Sequence, residues 1–75
     1  MVRVLTHGRY RVYVYAEHGG RHHLPHCHVL WPEGACVVAL VDLRVLAGDA
    51  LPSEARHLVA AHLGEIVAAW TQLNS

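Results

Sequence analysis

A chain of 75 residues makes a single small domain, spanning residues 1–75, that buries only about 60–65% of its unfolded surface. It is 53% apolar, a surplus that calls for a protein partner or a second copy of the chain, yet no apolar run nears the roughly 18–20 residues that cross a bilayer. Formal net charge is zero, but residues 1–31 carry Arg3, Arg9, Arg11 and Arg21 against Glu17 (+3), and residues 32–75 carry Arg44 and Arg56 against Glu33, Asp42, Asp49, Glu54 and Glu65 (−3).

This division suits an anionic partner facing the N-terminal part, or head-to-tail packing between copies. "MVRVLTHG" lacks the apolar block of a secretory leader, so a cytoplasmic protein with no membrane association is expected. Cys27 and Cys36 are then expected as free thiols. With no CxxC pair, a cysteine-based zinc finger is excluded.

In chain order, the first predicted strand covers about residues 2–6. "HG" supplies a turn, and a second strand follows over about 9–16. The second alternates, with Tyr10, Val12, Val14 and Ala16 on one face and Arg9, Arg11, Tyr13 and Tyr15 on the other. Gly19-Gly20 stops it and opens a histidine-rich loop. Pro25 fixes the entry to a third strand, "HCHVLW" (26–31). After the turn "PEG", "ACVVALV" (35–41) is apolar without alternation, which predicts a strand covered on both faces. Asp42 to Asp49 reads equally as an extended segment or as one helical turn closed by Gly48.

From Ser53 the period changes. Ala55, Leu58, Val59, His62, Leu63, Ile66, Val67, Trp70 and Leu73 share one stripe of a helix over about 53–73, with His62 read as a core histidine. Pro52 as first helical residue, or Ser53 as N-cap, would start it. Ala60, Ala61, Gly64 and Ala68 mark the opposite face. The expected fold is α+β: a three- to four-stranded antiparallel sheet packed against one long C-terminal helix.

The order of "HGRYRVYVYAEH", "HHLPHCHV", "DLRVLAGDALP" and a late Trp70 resembles the small bacterial family known as domain of unknown function 4160. Its members carry a segment H-x-P-P-H-V-H-V before a short strand and a C-terminal helix. His22, Pro25, His26, His28 and Val29 match that pattern. "GGRH" is an insertion, and Leu24 stands where the first proline is usual. The resemblance brings no settled activity. It implies a component of a two-gene toxin–antitoxin-type pair, acting through a partner with the histidine segment as its functional surface.

Two chemistries compete for that segment. On a strand, His26 and His28 project from one face, and an H-x-H pair can chelate Zn²⁺, Ni²⁺ or Cu²⁺. His22 is the third ligand by family match, with His18 and His23 as alternates. Alternatively, His26 and His28 act without metal as the base and acid of a ribonuclease-like toxin. Arg9 and Arg11 would then hold RNA phosphate and Tyr13 and Tyr15 would stack bases.

Overall fold

The structure is a computed structural model and describes residues 2–16 and 24–74. Five strands run in chain order through one antiparallel meander, β1 (Val2–His7), β2 (Tyr10–Val14), β3 (His26–Trp31), β4 (Gly34–Ala39) and β5 (Val45–Gly48). Two helices follow, α1 (Ser53–Ala61) and α2 (Leu63–Leu73). The α+β class is as expected, but the sheet has five strands rather than three or four, and the helix is two segments rather than one.

Local chemistry explains the turns. His7 pairs with Tyr10 across Gly8-Arg9, and Gly8 takes φ 58°, the positive value that a two-residue hairpin needs at its first loop position. Trp31 pairs with Gly34 across Pro32-Glu33. The ambiguous segment resolves as extended. Leu43, at φ 61°, turns the chain while its N–H donates to the Ala39 carbonyl at 2.8 Å, and β5 then pairs with β4.

The core lies on one face of the sheet. Tyr10, Val12 and Val14 of β2, Cys27 and Val29 of β3, and Cys36 and Val38 of β4 are buried there against Ala55, Leu58, Val59 and Ile66 of the helices. Each large side chain so buried contributes about 1.5–3 kcal/mol. Val37 and Leu30 point the other way and are only half-buried, so β4 is covered by helix on one face, not two. Leu40 and Val41, placed in that strand by their apolarity, form the turn beyond it, with Val41 74% exposed.

The helical stripe breaks at His62, whose φ of −115° and ψ of 22° leave the helical region. Its N–H is shared between the Leu58 and Val59 carbonyls, at 3.2 and 3.3 Å. Gly64, two residues on, weakens the helix at the same place. Beyond the break Leu63, Ile66, Trp70 and Leu73 keep their places against the core, while Val67 is exposed and Ala69 packs inward instead. His62 is no core histidine; its side chain is 41% exposed, with Nδ1 3.5 Å from the Glu65 carboxylate. Pro52 is neither of the two starts expected. With φ −62° and ψ 147° it is itself the cap, and Ser53 begins the helix.

Gly64 has open space where a Cβ would stand and a backbone that L residues adopt readily. Gly64→Ala should therefore stabilise the fold by about 0.5–1 kcal/mol, read as a higher urea midpoint at unchanged m-value.

Cys27 and Cys36 are free, as expected, and both are buried. Burial first, and Cys36 nearby second, push the Cys27 thiol up to about 12 from its ordinary value near 9. Burial does the same to Cys36, helped by Asp49 and opposed by Arg56. The unfolded chain therefore releases these protons at lower pH than the native one, and stability falls as pH rises above 9. From Cys27 alone the fall approaches about 1.4 kcal/mol per pH unit until its folded value near 12 is reached. Urea midpoints at pH 8, 9 and 10 check this, and Cys27→Ala should flatten the profile. Among the described residues, no helix is long and apolar enough to cross a membrane.

Candidate functional site

The face of the sheet away from the helices is built by register. Arg3, Tyr13, His28, Val37 and Ala47 stand opposite one another across all five strands in one row. Thr6, Arg11, Leu30 and Ala35 form the next. His26, two residues before His28, shares its face. These side chains are half-buried or exposed. No described strand position on this face carries a carboxylate.

Three rings gather at one end of the face. Tyr15 meets His28 edge to face with centroids 4.3 Å apart, and His28 meets His26 at 5.6 Å and 60°. Nδ1 of His26 lies 2.8 Å from the Leu24 carbonyl. A carbonyl only accepts, so Nδ1 is the donor in this contact. Tyr15 is positioned from behind, because the Asn74 side-chain amide at the end of α2 donates to its carbonyl at 3.2 Å and to Trp70 at 2.9 Å. Pro25 is held as well, its carbonyl accepting from Leu40 at 2.9 Å.

The structure brings together Arg11, Tyr13, Tyr15, His26 and His28. Arg9 goes elsewhere: it sits in the β1–β2 turn, pairs with Glu33, and lies 5.9 Å from the Tyr10 ring on the core side. His18, His22 and His23 lie outside the described residues. Among the described residues, no group of three or more His, Cys, Asp or Glu side chains could hold a metal ion. For His26, the Nδ1 contact to the Leu24 carbonyl is the kind of outer contact that orients a metal-ligating imidazole.

Sequence reasoning missed Arg3, Arg44 and Leu46. Arg3 reaches the face only through its pairing with Tyr13, next to the bulge at Val4. Leu46 is the extra residue of a second bulge, between the pairs Val37–Ala47 and Val38–Val45. It lines a hollow of about 390 Å³ with Leu24, His26, Val37 and Arg44. Alternation alone does not reveal a bulge, so no pattern in the sequence marked these three.

In keeping with this order of elements and the His-x-His strand, the family described as a domain of unknown function, DUF4160, matches residues 10–71. The chain belongs to the DUF4160 family. The match runs from the start of β2 nearly to the end of α2, so every DUF4160 position on the open face is covered except those of β1, Arg3 among them. No curated protein and no solved structure matches the chain.

Chemically, the open face of this DUF4160 chain combines guanidinium groups, aromatic rings and two adjacent imidazoles. One neutral imidazole can take the proton of an RNA 2′-hydroxyl as its oxygen attacks the adjacent phosphorus. The other, protonated, gives its proton to the departing 5′-oxygen. The products of such a step would be a 2′,3′-cyclic phosphate and a 5′-hydroxyl end, with water restoring the exchanged protonation states.

Proposed function

We propose that this protein is the RNA-directed component of a toxin–antitoxin-type pair, binding single-stranded RNA on its open sheet face with His26 and His28 as base and acid. One observation carries the reading: the described strand positions of that face bear Arg3, Arg11, Tyr13, His26 and His28 and no carboxylate. The chain's zero net charge is not what an RNA strand meets there. Sheet faces with exposed rings bind single strands by stacking, which is worth about 1–3 kcal/mol per base. The partner that covers this face between encounters is expected to be acidic.

Fluorescence anisotropy with a labelled twelve-residue poly-uridine RNA tests the binding. At low salt the affinity should be micromolar, and log K should fall linearly with log salt. The double variant Arg3→Gln/Arg11→Gln should lower that slope by about 1.4, at about 0.7 per phosphate contact. Absence of binding at the highest soluble concentration rejects the reading.

A metal-binding module is the second reading, favoured by the Nδ1–H of His26 held on Leu24. Zn²⁺, Ni²⁺ or Cu²⁺ would sit on Nε2 of His26 and on His28, with His22, or His18 or His23, as third ligand. A metal that prefers the folded state must raise the melting temperature of untagged protein. An unchanged melting temperature with each ion removes this reading.

A further inference from the structure

Two hollows open on the same face, one on each side of Val37. The larger, about 390 Å³, has Leu24, Val37 and Leu46 as apolar walls, with His26 and Arg44 among its lining residues. The smaller, about 210 Å³, has His28, Leu30, Ala35, Val37 and Ala47 among its lining residues, and no described residue lining it carries a guanidinium. Each hollow therefore owns one histidine of the pair. The rings of those histidines, two strand residues apart, lie 5.6 Å from each other, so the hollows are neighbours along β3.

Resting on the RNA reading, we propose that the face recognises a dinucleotide: a guanine in the hollow of Arg44, a pyrimidine in the hollow of His28, and the phosphate that links them over the two histidines. Size divides the bases, because the larger hollow suits a purine and the smaller suits a single ring. Charge divides the purines. A guanidinium donates to N7 and O6 of guanine, whereas adenine sets an amino donor in place of O6. Apolar walls suit the flat faces of both bases, and no carboxylate stands among the described residues that line the two hollows.

The test uses the same anisotropy assay with two twelve-residue RNAs, poly-uridine and poly-uridine with one central guanosine. The wild type should bind the guanosine RNA about 10-fold more tightly, as one good bidentate contact implies. Arg44→Met, which keeps an apolar stem in the hollow, should abolish that gain. Arg9→Met, an equal loss of charge in the turn, should leave it intact. Ala35→Leu fills the smaller hollow from an exposed position and should weaken both RNAs. Equal affinity of the wild type for the two RNAs, or a gain that survives Arg44→Met, overturns the dinucleotide while RNA binding stands. No binding of either RNA overturns both.

Discussion

Gly48→Ala should cost about 3 kcal/mol or more, a large part of the stability of so small a chain. Gly48 sits at φ 91°, where an L side chain is strained wherever it has room. Here it has none. A Cβ would stand 2.5 Å from the Ala35 carbonyl oxygen and 2.8 Å from Cα of Cys36, both backbone atoms of the neighbouring strand. Neither can yield without parting β4 from β5. The next residue, Asp49, accepts from the Ala35 N–H through its side chain at 3.0 Å and donates its own N–H to the Ala35 carbonyl at 2.8 Å, so displacement would break that closure too. Urea denaturation followed by tryptophan fluorescence measures the loss. A midpoint within about 0.3 M of the wild type would contradict the packing described for this edge.

The second large effect is functional. His26→Asn should lower cleavage of a labelled RNA by about 10²–10⁴-fold, the usual worth of a general acid or base. Asparagine can keep a donor near the Leu24 carbonyl, replacing Nδ1–H, but it has nothing in place of Nε2. The fold should therefore persist, with stability changed by less than about 1 kcal/mol, while the chemistry goes. His28→Ala should do as much to cleavage and also leave the Tyr15 ring without its edge contact. Product ends are diagnostic, since the reaction leaves a 2′,3′-cyclic phosphate. Cleavage by His26→Asn within about threefold of the wild type would falsify the acid–base assignment. In cells, the growth arrest expected on expression of the wild type should vanish with either variant.

Much of this could be read directly from the residues. The alternation of Tyr10 to Val14 placed Arg11 and Tyr13 together, and the spacing of His26 and His28 put both on one side of β3. Strong local patterns survive because burial of one face enforces them. β5 was ambiguous because four residues carry too little periodicity to choose a state; pairing with β4 decides it. The helix break rests on one residue's departure in backbone angle, and the apolar stripe runs through it without a visible gap. At the site, Arg3, Arg44 and Leu46 depend on bulges and on which strands become neighbours. Arg9 has the right residue type in the right strand period and still leaves, because β2 begins only at Tyr10 and Arg9 is a loop residue of the hairpin turn, where it pairs with Glu33.

Asn74 fastens the last turn of α2 to the carbonyl of Tyr15, while the ring of Tyr15 leans on His28 across the sheet. Whatever steadies one end of that chain of contacts steadies the other, because coupling between two sites is reciprocal. RNA stacked on the rings should thus slow amide exchange around Trp70 to Asn74, and a fusion that frays this turn should loosen RNA. The end of α2 is thereby mechanically joined, through one backbone carbonyl, to the ring cluster on the opposite face of the sheet.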